Sequence, residues 1–137
     1  VNGVVEQMND DDSASNLDPG TGADGFAVTV NVRDNIFVLG VSGTLDMVTA
    51  PRLTDSIQQE LRKRPAVVIV DLTEVEFLAS AGMTVLLTAH QQIGDTAQFA
   101  VVADGPAVAR PLRLIGLDKL VTIHTTLDAA LQASSEA

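Results

Sequence analysis

Seven residues near the middle of the chain, Ala66 to Leu72 (AVVIVDL), form a short run dominated by β-branched apolar side chains, without polar alternation. A strand with one wet face alternates polar and apolar residues. A run of this kind is instead buried on both faces, as in a parallel sheet covered by helices. Parallel strands need crossover connections, so helical segments must flank the run. Upstream, Thr49-Ala50-Pro51 opens one: Thr is a good cap residue, and Pro is tolerated only in the first turn. Leu53, Ile57 and Leu61 recur every four residues and give it a buried stripe. Arg62, Lys63 and Arg64 are expected in its last turn, at the negative end of the dipole, before Pro65 stops it. Downstream, Ser80 to Gln92 is apolar nearly all round, through Ala81, Met83, Val85, Leu86, Leu87 and Ala89. A mostly buried helix is expected there, ended by Gly94.

The other segments fit the same plan. Phe26, Val28, Val30 and Val32 alternate with Ala27, Thr29 and Asn31, which reads as a half-buried strand. Asp34-Asn35 is a turn signal, and Ile36 to Val41 is a second strand, so the two make an antiparallel hairpin. Gln98 to Ala103 is another buried strand. Gly105-Pro106 opens a third helix with Val108, Leu112 and Ile115 inward, Pro111 kinking or breaking its first turn, and Gly116 ending it. Val121 to Thr125 is a last strand, and Leu127 to Ala133 a last helix capped by Thr126. The order β-β-α-β-α-β-α-β-α predicts one α/β domain over residues 26–137. Its sheet is mixed and mostly parallel, with an N-terminal β-hairpin and about four packed α-helices. A chain of 137 residues suits one such domain.

Residues 1–25 differ. They hold six acids (Glu6, Asp10, Asp11, Asp12, Asp18 and Asp24) and no Lys or Arg. Such a stretch buries too little apolar surface to offset its ordering entropy, so a disordered acidic tail is expected.

Composition narrows the function classes. The formal net charge of −10 repels phosphate backbones, which excludes nucleic acid and anionic membrane as natural partners. Aromatic residues make up 3 %, with no Trp or Tyr, so the core is aliphatic and no base-stacking surface is available. The absence of Cys excludes disulfides, thiolate metal sites and Cys nucleophiles. His90 and His124 have no ligand-like spacing, so no metal site is expected. Gly94, Gly105 and Gly116 are isolated helix ends, not a phosphate loop, so no cofactor is expected. No apolar run reaches the roughly 20 residues of a membrane span, and no secretory signal is visible, so the expected location is cytoplasmic.

The informative segment is Asp71-Leu72-Thr73-Glu74-Val75-Glu76-Phe77-Leu78-Ala79-Ser80-Ala81-Gly82-Met83, which runs from a strand into a helix. Ser80 falls at or just before the first helical turn. One reading makes it a helix cap worth about 1 kcal/mol, with Ala81 and Gly82 small for close packing. The other makes it a switch. A phosphoryl group there faces free backbone N–H groups and the positive end of the dipole, so the domain tolerates it. It also adds charge to the surface. At about 5 Å and an effective dielectric of about 20, each new like-charge pair costs about 3 kcal/mol. Asp71, Glu74 and Glu76 are expected in a solvated loop, not in a metal or acid–base cluster. No G-x-S-x-G elbow and no His/Asp relay accompany Ser80, so no catalytic residue is assigned and the protein is not expected to be an enzyme.

This segment resembles the signature of the STAS domain family, shared by sulphate transporters and anti-sigma factor antagonists. In the bacterial antagonists the usual pattern is D-L-S-x-V-x-F-M-D-S-[ST]-G-L. The family's phosphorylatable Ser falls on Ser80 and its Gly on Gly82. Ser42-Gly43-Thr44-Leu45-Asp46, with Thr49-Ala50, is similar to the family's G-E-L-D-x-x-T-A. Pro106-Ala107-Val108-Ala109-Arg110, with Gly116-Leu117, is similar to S-P-A-V-x-R…x-G-L. The three pieces stand in family order across about residues 26–133.

The resemblance implies an anti-sigma factor antagonist. Unphosphorylated protein would bind an anti-sigma factor with serine kinase activity and release a sigma factor. Phosphorylation of Ser80 would break the complex, and a phosphatase would restore it; ATP belongs to the partner. The implied partner-binding residues are Asp46, Ser80, Ala81, Gly82 and Met83. Asp46 also has a plainer reading, as a turn residue bonding nearby backbone. Three positions depart from the pattern: Ala79 replaces the usual Asp, Ala81 the usual Ser or Thr, and Thr44 the usual Glu. The loss of that Asp keeps an alternative open, a non-phosphorylated STAS scaffold or interaction domain.

Overall fold

The computed structural model describes residues 25–135, together with the backbone of Asn2–Gly3 and Glu6–Gln7, which pair antiparallel as a two-residue ladder. The rest of the expected disordered tail lies outside the described residues.

Asp34 and Asn35 both have positive φ, 51° and 65°. These are the dihedrals of a two-residue type I′ loop, and Asp and Asn tolerate them better than most residues. The loop joins β1 (Ala27–Arg33) to β2 (Ile36–Leu45) in an antiparallel register running from Arg33↔Ile36 to Ala27↔Ser42. Every later pairing is parallel. β2 pairs with β3 (Val67–Leu78), β3 with β4 (Gln98–Val102), and β4 with β5 (Thr122–His124). The strands therefore stand in chain order across one five-stranded sheet, with β1 and β5 at its edges.

Side-chain alternation sorts the sheet into two faces. Phe37, Leu39, Val41, Val68, Val70, Leu72 and Val101 point to one face. There they meet Leu53 and Ile57 of α1 (Ala50–Leu61), Leu86, Ala89 and Ile93 of α2 (Ser80–Ile93), and Leu112 of α3 (Ala109–Leu114). Val38, Val67, Ile69, Ala100 and Val102 point the other way, under Ala130 of α4 (Leu127–Ser135). The β3 run Val67–Val70 is thus buried on both sides, as its lack of alternation required. The Thr126 cap on α4 also forms: its Oγ1 accepts from Ala129 N at 3.1 Å. Pro111 lies in the first turn of α3, and 106–108 are turn residues, so the helix starts later than Gly105-Pro106 implies.

Several expectations need correction. β2 and β3 are longer than their apolar runs, reaching Leu45 and Leu78, because they pair with each other to their ends. Asp71, Glu74 and Glu76 consequently sit on a strand, not in a loop, although Glu74 and Glu76 are still solvated. Val30 and Val32 of β1 are exposed, since α1 packs on β2 and α2 and leaves the edge strand uncovered. α1 ends at Leu61, so Arg62, Lys63 and Arg64 lie beyond its last turn, with Arg64 at φ 55°. α2 buries one stripe (Gly82, Leu86, Ala89, Ile93), while Ser80, Thr84 and Thr88 face solvent. Ile115 is exposed, because α3 stops before it.

Candidate functional site

The site lies where β2 and β3 end. Leu45 and Leu78 are partners in the parallel ladder, and Ala79 N donates to Leu45 O at 2.9 Å. Asp46 and Ala79 follow directly on that pair. Two turns that are far apart in sequence therefore leave the sheet as neighbours, one strand spacing of about 4.8 Å apart.

Asp46 organises the first turn. Its Oδ1 accepts from Val48 N (3.0 Å) and Thr49 N (3.1 Å), and its carbonyl oxygen accepts from Ala50 N (2.8 Å). Thr49 does not cap α1, contrary to the sequence expectation. Its hydroxyl is turned inward, donating to Thr44 O at 2.8 Å and accepting from Asp46 N at 2.9 Å. The plainer reading of Asp46 is thus realised in the geometry. Asp46 is half-buried, and its backbone leaves the sheet directly after the Leu45–Leu78 pair.

In that second turn the helix cap is Ala79, in extended backbone (φ −87°, ψ 168°), and its methyl side chain gives no cap hydrogen bond. Ser80 is the first helical residue, one position too late to cap. That corrects the cap reading. Its side chain is exposed, and its Oγ forms no hydrogen bond among the described residues. Gly82 N and Met83 N donate to Ala79 O, at 3.0 and 3.2 Å. The N–H groups of Ser80 and Ala81 find no acceptor among the described residues, as expected of an uncapped helix start.

Of the other residues assigned to this surface, Ala81 and Met83 are half-buried, Met83 against the core. Gly82, also assigned to this surface by the resemblance, is buried. A Cβ there would stand 2.7 Å from Leu45 Cγ and 2.8 Å from Leu78 Cδ1. Its part is to let the first turn of α2 sit down on those two leucines.

Three residues that the sequence reading passed over border the site. Met47, Val48 and Phe77 are 79 %, 74 % and 56 % exposed. Met47 and Val48 form the turn after Asp46, and Phe77 precedes Leu78. Two large apolar residues in a solvated capping turn were a readable signal. Glu74 and Glu76 are exposed on the same strand, before Phe77. Asp71 is held locally, accepting from Thr73 N and Oγ1 at 3.0 and 2.8 Å. His90 and His124 are both half-buried and lie elsewhere, in α2 and β5. No group of three His, Asp or Glu side chains among the described residues gathers to hold a metal. An open cleft of about 380 Å³, lined by Gly105, Pro106, Arg110, Arg113 and Leu114, includes neither Ser80 nor Asp46.

This arrangement, a sequentially ordered mixed sheet with an exposed Ser opening the helix after its central strand, agrees with the family comparison. The STAS domain model matches residues 27–130, and the chain belongs to that family. Among its relatives, the anti-sigma-F factor antagonist RsfB of Mycobacterium tuberculosis is 37 % identical over 108 residues, covering 79 % of this chain and 88 % of that one. The crystal structure of an anti-sigma factor antagonist from Mycobacterium paratuberculosis superposes with a TM-score of 0.79 at 40 % identity, covering 84 % of this chain and 98 % of that one. The unphosphorylated form of the anti-sigma factor antagonist SpoIIAA shares the fold, with a TM-score of 0.69 at 15 % identity over 81 % of this chain and 98 % of that one. No helix among the described residues is long and apolar enough to cross a membrane.

Proposed function

We propose that this protein is an anti-sigma factor antagonist that works as a binding switch in the cytoplasm, with Ser80 as the switched residue. Unmodified, it docks on an anti-sigma factor that is itself a serine kinase, and so frees a sigma factor. Transfer of a phosphoryl group to the Ser80 Oγ ends the complex, and a phosphatase returns the protein to the binding form. The protein is substrate and switch, and the catalysis belongs to its partners.

One observation carries this reading. The Ser80 hydroxyl is exposed on the first residue of an uncapped helix, at the sheet end where the neighbouring strand runs into half-buried Asp46 and exposed Met47 and Val48. The free N–H groups of the first turn can receive phosphate oxygens, so modification leaves the fold intact. The docking surface meanwhile gains about −1.5 to −2 charges on an already acidic protein. The names of the relatives at 37 % and 40 % identity support the same class of function.

The test is binding to the cognate anti-sigma factor by calorimetry. Ser80→Ala should keep the wild-type affinity, and Ser80→Asp or Ser80→Glu should weaken it by about tenfold or more, a loss of about 1.4 kcal/mol. Equal affinity of all forms would remove the switch. A second reading, a non-phosphorylated STAS scaffold, is favoured by Ala79 standing where antagonists carry Asp. Incubation with cognate kinase and ATP, followed by intact-mass measurement, separates the two: no phosphate on Ser80 would favour the scaffold.

A further inference from the structure

β1 closes one side of the sheet, and among the described residues nothing pairs with its outer edge. In a hairpin closed by a two-residue loop, the pair flanking the loop is hydrogen-bonded and alternate pairs follow suit. Arg33, Asn31, Thr29 and Ala27 thus spend their backbone groups on β2. Val32, Val30 and Val28 turn theirs to the open edge. Edge strands are usually blunted by Lys, Pro, a bulge or brevity. β1 has seven residues in unbroken register, and its single charge is at its end, on Arg33. Val30 and Val32 are 39 % and 55 % exposed.

The strand is also its own complement. Read about Val30, it is apolar at 28, 30 and 32 and polar at 29 and 31 in both directions. We propose that two copies of this chain pair antiparallel through β1, about a two-fold axis at Val30, so that two five-stranded sheets become one. Val30 then faces Val30 of the partner subunit, and Val28 faces the partner's Val32, one apolar row on one face. The backbone groups turned outward by Val28, Val30 and Val32 are the ones this register joins.

Charge supplies a second, independent argument. Arg33 stands at the hairpin-loop end of β1, and Ala66 N donates to Asn35 O at 3.0 Å, which brings the 62–64 segment to the same end. Arg33, Arg62, Lys63 and Arg64 outnumber Asp34, Glu60 and Asp95 at this end, a mildly basic pole on an acidic protein. Lys63 pairs with Glu60, and the three arginines have no ion pair among the described residues. Gly25 lies beyond the opposite end of β1, about 26 Å from Arg33 at about 3.3 Å per strand residue. In this register Arg33 faces the partner's Ala27, and the partner's Gly25 comes level with Asn35 in the hairpin loop. The sequence before Gly25 holds six acids and no Lys or Arg. The acidic sequence thus joins the fold at the end of β1 that meets the partner's basic residues. β3, which leads into Ser80, is the third strand from this edge, so the switch surface stays open.

Sedimentation of the full chain from about 10 to about 300 μM, the range of a weak interface, should show the mass rise from one chain to two. Val30→Lys should weaken association at least tenfold with an unchanged circular dichroism spectrum. The double variant Arg62→Glu/Arg64→Glu should weaken it several-fold. Hydrogen exchange on the wild-type chain should slow at the amides of Val28, Val30 and Val32 in the concentrated sample relative to the dilute one. One-chain mass throughout overturns the proposal, as does a dimer indifferent to Val30→Lys. Should that variant fail to fold, exchange at the three amides that does not change with concentration overturns it.

Discussion

An alanine in the cap position is the weakest point of α2. Ala79 has the extended dihedrals of a cap residue and no oxygen to offer, so the helix start is left to water. The usual Asp of the antagonists falls on this position, where its carboxylate would accept from the first-turn N–H groups. Ala79→Asp should therefore stabilise the protein by about 1 kcal/mol, read as a higher urea midpoint at unchanged slope. Gly82 makes the opposite case. Even one methyl group there meets Leu45 and Leu78 below 3 Å, and both belong to the buried core. Gly82→Ala should cost about 1–3 kcal/mol, and it should weaken partner binding although Ser80 is untouched, because the first turn must rise off the sheet. The position of Ser80 near a helix start was legible in the sequence. That it is the first helical residue and not the cap was not, since a single-residue shift depends on where β3 stops pairing.

At the scale of elements, order and type were legible and lengths were not. The runs Ile36–Val41 and Ala66–Leu72 announce strands by composition. Their continuations, through Thr44 and through Glu74 and Glu76, are strand only because β2 and β3 lie side by side to Leu45 and Leu78. The period-two pattern of β1 likewise says which side chains share a face, but not that this face is uncovered at Val30 and Val32. The hairpin loop is the exception, where local chemistry settles the geometry. Asn35 at φ 65° occupies a left-handed well that most residues resist. Asn35→Ala should cost about 1 kcal/mol in equilibrium unfolding, and Asn35→Gly should not.

Over the whole molecule, charge is divided along the strands. Asp46, Glu74 and Glu76 crown the end that carries Ser80, while Arg33, Arg62, Lys63 and Arg64 gather at the other. A partner that docks on the Ser80 end meets a negative border around an apolar centre, so basic residues around an apolar contact suit it. Its association rate should fall as salt is raised from about 50 to about 500 mM, by tenfold or so, with a smaller change in dissociation, measurable by stopped-flow. The net charge alone argued only against nucleic acid and anionic membrane; the division between the two ends appears only once the strands are aligned. The seating of α2 on Leu45 and Leu78 has a further consequence. Because the Ser80 hydroxyl rides on a helix bolted to the interior instead of on a loop, a protein docking there finds it preorganised and has little chain entropy to quench. Under the proposed switch, affinity hinges on the chemical state of a single oxygen, and the two forms of the protein need not differ in shape at all.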